Sequence, residues 1–313
     1  MPIFQIKNKQ LIKIKEKKFD YERDLQKLVE QNLEEIFGLE FISGRLNKQF
    51  VLKGLEIDTL AFDPQTRSFV IIEYKKDRSF SVIDQGYAYL SLLLNNKAEF
   101  VLRHNESRKE KTGKSNIDWS QSRIIFIAKE FTPHQKGAIS FRDLPIELWE
   151  VQLMEGNIIS FSQIKSAEMQ ESITKVAPSS TVRKVSQEVR AYSLEDHYRK
   201  ALPKTKLLLD NLRKQIFSLD ENIKEKPVKF YLGYKLSWYN FVVVHVYKEK
   251  LRIYVRKQKL GKDKEKKFKK VPAAWKWGKT PLWWIDIPQD ATEKEVDYIM
   301  EVVKESYEAA PDR

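Results

Sequence analysis

The sequence predicts an α/β protein in two parts: a mixed sheet flanked by helices over residues 1–164, and a smaller α+β unit over 193–313. Three observations carry this. Short apolar runs such as Phe69–Ile72 and Arg123–Ala128 alternate along the chain with stretches of helical period. Residues 165–192 lose apolar content, most clearly at Ala177–Thr181, and read as a linker. A chain of 313 residues with 42% hydrophobic content builds two modest cores more readily than one large one.

In chain order, residues 1–18 alternate, with Ile12 and Ile14 set between lysines, as in an edge strand or a basic arm. A helix is expected from about Tyr21 to Phe37, stopped by Gly38 in a C-cap position. Its apolar stripe runs Leu25, Leu28, Val29, Leu33 and Ile36. Extrapolating back one turn puts Glu22 on that stripe, with Glu30, Glu34 and Glu35 on the outer sides. Leu55–Phe62 and Phe69–Lys75 are strands joined by a turn over Pro64–Arg67, where proline fixes φ and cannot donate to a ladder. Ser81 with Asp84 opens a helix to about Leu94. Glu99–Arg103 reads as a short strand, His104–Gln121 as a polar loop, and Arg123–Ala128 as a buried strand of a parallel or mixed sheet. Thr132-Pro133 starts a short helix. Ile146–Met154 and Ile158–Phe161 form a hairpin about Gly156. In the second unit, Ser193 with Asp196 suggests a cap and Lys204–Leu219 an amphipathic helix. Val228–Leu232, Trp238–Tyr247, Lys250–Arg256 and Pro281–Ile287 are strand candidates. Thr292 with Glu295 caps a last helix ending near Tyr307.

The central hairpin carries the chemistry. If Pro64–Arg67 is the loop, 63 pairs with 68, and so Asp58 lies across from Glu73, with Cβ atoms about 4.5–5.5 Å apart. Lys75 lies one pleat further on the same face. Opposed carboxylates repel, so the arrangement calls for a cation, and oxygen ligands suit a hard ion such as Mg²⁺ or Mn²⁺. The nearby ammonium would stabilise an anionic transition state or orient a water. The alternative is a cross-strand salt bridge from Lys75 to Asp58 or Glu73 on a solvated face. Gln85 and Tyr89, four apart, project from one face of the next helix; the alternative there is Tyr89 in the core and Gln85 as a first-turn polar residue.

Composition excludes several classes. Cysteine is absent, which removes disulfides, thiolate nucleophiles and cysteine zinc sites and fits a reducing cytoplasm. The four histidines have no metal-ligand spacing, and no glycine-rich phosphate loop appears. Neither a leader nor a long apolar run is present, so no membrane partner is expected. The balance of 57 basic against 44 acidic residues gives +13. Lys250–Lys279 concentrates it, with thirteen Lys or Arg against Asp263 and Glu265. Lys262, Lys264, Lys266 and Lys267 there are candidate phosphate contacts, and Trp275 and Trp277 candidate base-stacking residues. The alternative roles of this segment are a solvated loop with core tryptophans, homodimerisation, or recognition of a protein partner.

Taken together, Glu22 on the first helix, Asp58, Glu73-Tyr74-Lys75, and Gln85 with Tyr89 resemble the PD-(D/E)xK superfamily of restriction-endonuclease-like nucleases. The likeness covers about residues 20–130 and is closest to the branch of RecB-type and structure-specific endonucleases. Ile57, where the name has proline, is a departure shared by many members. The resemblance implies an αβββαβ core, a mixed sheet flanked by helices, and metal-dependent hydrolysis of DNA phosphodiesters in repair or defence. It implies that Asp58, Glu73 and the Tyr74 backbone carbonyl hold Mg²⁺ or Mn²⁺. Glu22 would complete a second metal position, Lys75 would orient water, and Gln85 and Tyr89 would position water or phosphate. Residues 193–313 resemble an uncharacterised domain that recurs beside such nucleases. The competing reading is a catalytically silent nucleic-acid-binding module on a nuclease fold. If the helix starts later than Tyr21, Glu30 replaces Glu22.

Overall fold

A computed structural model describes residues 3–17, 19, 22–75, 81–106, 111–139, 144–164, 180–189, 191–272, 280 and 282–311. The chain divides into two compact units, residues 1–63 with 67–190, and residues 191–313 with 64–66.

The first unit opens with β1 (Phe4–Lys7), β2 (Gln10–Lys13) and β3 (Glu16–Lys17). Helices α1 (Glu22–Gln31) and α2 (Leu33–Phe37) follow, then β4 (Glu40–Ser43), β5 (Phe50–Leu52), β6 (Leu55–Ile57), β7 (Thr59–Asp63) and β8 (Ser68–Lys75). Next come α3 (Val82–Asn95), α4 (Lys97–Asn105), β9 (Arg123–Ala128), α5 (Pro133–Ala138), β10 (Ile146–Met154), β11 (Ile158–Gln163) and α6 (Ser180–Glu188). The main sheet has the order β11-β10-β9-β8-β7-β4, with β3 also on β10. It is mixed: β8–β9 and β9–β10 are parallel, whereas β7–β8 and β10–β11 are antiparallel.

Strand alternation sorts β8 between two cores. Val70, Ile72 and Tyr74 pack with Leu25, Val29, Leu33 and Phe37 of the first two helices. Phe69 and Ile71 pack with Leu90 and Leu93 of α3 and Phe100 of α4. Glu73 and Lys75 therefore continue the face turned toward α3.

The second unit contains α7 (Leu194–Tyr198), α8 (Pro203–Phe217), β12 (Lys224–Pro227), β13 (Leu232–Leu236), β14 (Tyr239–Val246), β15 (Lys250–Arg256), β16 (Lys269–Lys270), β17 (Leu282–Pro288) and α9 (Glu293–Glu308). Its sheet, β12-β13-β14-β15-β17-β16, is antiparallel throughout. Val242, Val244, Leu251 and Ile253 form its core with Leu209 and Leu212 of α8 and Val302 and Val303 of α9.

Several expectations change. The helix expected over 21–37 is interrupted at Asn32 (φ −124°, ψ 23°), whose side-chain amide donates to the Leu28 carbonyl at 2.7 Å and competes with the helical ladder. Gly38 caps α2 in the left-handed region (φ 67°), as its position predicts. Residues 97–105 are helical, not a strand, because Phe100 and His104 four apart are both buried while Leu102 between them is 61% exposed. The expected first strand of the hairpin, Leu55–Phe62, is broken at Asp58, a bend between β6 and β7. β6 pairs with β5 in a separate two-stranded sheet. The expected linker holds α6, whose Val182 and Val185, with Val189 after its end, are buried in the core on the α3 side; residues 165–179 and 190 of it lie outside the described residues. Val228 to Tyr231 is a turn rather than a strand, with the Val228 amide donating to the Tyr231 carbonyl.

Candidate active site

The hairpin register places the site. Asp63 pairs with Ser68 and Thr59 with Ile72, the register the turn predicts; the ladder stops there, and Asp58, one residue before it, lies close enough to Glu73 for their charges to act on each other. The bend releases Asp58 from the ladder, and its Oδ2 accepts the Tyr74 N–H at 3.1 Å. Lys75 Nζ donates to Glu73 Oε1 at 2.8 Å. Glu73 is 6% exposed, and its other oxygen, Oε2, is buried with no hydrogen-bond partner among the described residues.

An unpartnered carboxylate oxygen beside a second carboxylate is costly. Burial, then the Asp58 charge, push the Glu73 carboxyl up to about 7, against the pull of Lys75. Asp58 is also raised, by burial first, with the Tyr74 amide and Lys75 opposing.

Helix α3 supplies the third side. Ser81 caps it, accepting from the Asp84 amide at 3.2 Å. Gly86 lets its first turn close onto the sheet, since a Cβ there would meet Ile146 Cδ1 at 2.5 Å. Tyr89 on this helix lies close enough to Glu73 and Asp58 to feel their charges. The Gln85 Oε1 is buried and, among the described residues, without a partner. The Tyr89 hydroxyl donates to the Glu56 carbonyl at 3.2 Å. Burial and then the Glu73 charge raise its pKa, so it remains a donor.

The burial of the two helical carboxylates differs from the expectation. Glu22 is exposed at the first position of α1, whereas Glu30 is 3% exposed. The buried face of α1 runs Leu25, Gln26, Val29 and Glu30, because Leu28 faces outward (36% exposed). Glu30 Oε1 accepts from Thr59 Oγ1 (2.7 Å), the Arg45 amide (2.9 Å) and Gln26 Nε2 (3.0 Å), and Oε2 accepts from the Leu46 amide (2.9 Å). Gln26 Nε2 also donates to the Asp58 carbonyl at 2.7 Å. Glu30 thus ties α1, the 44–46 loop and the start of β7 together behind Asp58, with its oxygens already engaged. The signal available in sequence was Gln26 and Glu30 at i and i+4; Glu30 was expected on an outer side of the helix.

The donor set fits a hard cation of low protein coordination. Among the described residues no group of three His, Cys, Asp or Glu side chains comes within metal-holding range. Asp58 and Glu73 remain, and Mg²⁺ characteristically takes one or two carboxylates and keeps several waters. The orphaned Glu73 oxygen has the chemistry such an ion requires.

In the second unit, Glu305 of α9 accepts from the Gly261 and Lys262 amides (2.7 and 2.9 Å), and Asp263 accepts from the Lys267 and Phe268 amides (2.9 and 3.1 Å). The basic loop is therefore a held turn. Lys262, Lys264, Lys266 and Lys267 are exposed on it, Lys262 facing Glu301 at 3.7 Å and Lys267 paired with Glu265 at 2.8 Å. Trp275 and Trp277 lie outside the described residues. No described helix is long and apolar enough to cross a membrane.

The profile of a domain of unknown function (DUF5655) matches residues 194–310. An uncharacterized protein of Haemophilus influenzae is 34% identical over 308 residues, covering 98% of this chain and 99% of its own length. No solved structure matches the chain.

Proposed function

The chain belongs to the family of that Haemophilus influenzae protein, and we propose that it is a divalent-metal-dependent DNA endonuclease of PD-(D/E)xK type, acting in repair or defence. The observation that carries the reading is the Glu73 carboxylate, clamped by Lys75 through one oxygen and left unpartnered through the other, beside Asp58 at a strand end. A mixed sheet with helices on both faces is compatible with a restriction-endonuclease-like core.

Asp58 and Glu73 would hold Mg²⁺ or Mn²⁺, with the Tyr74 carbonyl as a further ligand. Such an ion, when bound, supplies Lewis acidity and lowers the pKa of a coordinated water. Glu73 must be ionised to serve, and its rise to about 7 sets the metal-free carboxylate near half-ionised at neutral pH. Lys75 favours the ionised form and turns its charge toward the scissile phosphate. Tyr89, held protonated, and Gln85 offer hydrogen bonds for a phosphoryl oxygen or the attacking water. Glu22, exposed at the start of α1, has the accessibility an outlying second metal position would need. Glu30 does not, since its oxygens are occupied.

Purified Glu73→Ala and Lys75→Ala proteins should lose Mg²⁺- or Mn²⁺-dependent DNA cleavage by at least about a hundredfold. Undiminished cleavage by Glu73→Ala would overturn the assignment. Wild type that binds DNA but turns over with no divalent ion would leave a silent binding module.

A further inference from the structure

Strands β1 and β2 form a two-stranded sheet of their own. Phe4 pairs with Lys13, Ile6 with Leu11, and Lys7 with Gln10. Asn8 and Lys9, both at positive φ (51° and 62°), make the two-residue turn that matches the twist of a hairpin. Every residue of both strands is exposed. Phe4, Ile6 and Leu11 share one face at 43%, 75% and 66% exposure, beside Lys13. Gln5, Lys7, Gln10 and Ile12 share the other.

A lone hairpin is marginal in water, and a bare apolar face calls for cover. Charge decides what the cover is. Residues 3–17 hold five lysines (7, 9, 13, 15 and 17) against Glu16, a net of +4. A second copy would bring the same positive charge onto the arm. Three apolar side chains also fall far short of the roughly 1,000 Å² that a stable protein interface needs. A polyanion meets both conditions. The major groove of B-form DNA, about 12 Å wide, admits a two-stranded ribbon, while the deep, narrow groove of duplex RNA does not.

We infer that the β1–β2 hairpin is an arm that enters the groove of duplex DNA. Lys7, Lys9 and Lys13 meet phosphates of the groove walls, and Phe4, Ile6 and Leu11 meet sugars and thymine methyl groups. The choice of DNA as the polyanion rests on the phosphodiesterase reading above.

The test is binding of the full chain to a short labelled DNA duplex in EDTA, where cleavage plays no part. Replacing Lys7, Lys9 and Lys13 together by Ser should weaken binding about tenfold or more and lower the salt slope by about 2–3. Replacing Phe4, Ile6 and Leu11 together by Ser should weaken binding about fivefold with the slope unchanged. These positions are exposed, and an unchanged thermal transition verifies the fold. Wild-type affinity in both variants overturns the proposal, as does failure of the wild type to bind duplex DNA. Equal losses on duplex RNA, or an apolar variant that only converts a sedimenting dimer to monomer, also overturn it. Cleavage that depends on Glu73 while both arm variants bind normally would remove the arm and leave the nuclease reading intact.

Discussion

Glu73 is held where its ionised form is unfavourable, buried beside Asp58. Its carboxyl titrates near 7 in the folded chain and near the ordinary 4.5 when unfolded. The folded state therefore binds the proton more tightly, and stability falls as pH rises from about 4.5 through 7. Above that window the ionised, buried group costs about 3 kcal/mol, with the pull of Lys75 already included. In EDTA, Glu73→Gln should unfold at higher denaturant than wild type at pH 8 and no higher at pH 4. Mn²⁺ should raise the wild-type midpoint at pH 8 and leave the variant unmoved. Equal wild-type and variant midpoints at pH 8 would mean that Glu73 is not under this strain.

At the scale of elements, α1 is fixed to the sheet by a carboxylate as well as by Leu25 and Val29. Glu30→Gln turns one acceptor oxygen into a donor facing backbone N–H groups or the Thr59 hydroxyl. That change should cost about 1–3 kcal/mol by chemical denaturation. Glu22→Gln, at an exposed position, should stay within about 0.5 kcal/mol. Because Gln26 links Glu30 to the Asp58 carbonyl, Glu30→Gln should also reduce cleavage more than Glu22→Gln does. A larger activity loss in Glu22→Gln, with Glu30→Gln near wild type, would mean that the outlying position of Glu22 matters more to cleavage than the Glu30–Gln26 support behind Asp58.

For the whole molecule, the +13 charge is concentrated in the N-terminal arm and in the Lys250–Lys279 segment. Lys262, Lys264, Lys266 and Lys267 project from a turn whose backbone is held by Glu305 and Asp263, so replacing all four with Ser should leave the thermal transition in place. The same variant should weaken DNA binding and lower its salt slope by about 2–3 if three or four lysines contact phosphates. Unchanged affinity and slope would assign the second unit to self-association or a protein partner instead.

The sequence by itself determined the features that a few neighbouring residues encode. The Asp63–Ser68 turn set the register, the register set Asp58 beside Glu73, and period-2 alternation put Lys75 on the same face. Ser81, Thr132, Ser193 and Thr292 each marked a helix start, because a cap is a bond made within three residues. Tertiary structure alone decided the rest. Whether Glu99–Arg103 is strand or helix depended on which faces found a core, since a short apolar run fits either period. Val182 and Val185 were a weak stripe in a polar stretch until the α3 face supplied their contacts. Glu30 was a charge on an apparent outer face until Arg45, Leu46 and Thr59, distant in sequence, brought it four donors with Gln26. Burying a carboxylate is favourable only when such donors converge, and their convergence is a property of the fold rather than of any local stretch.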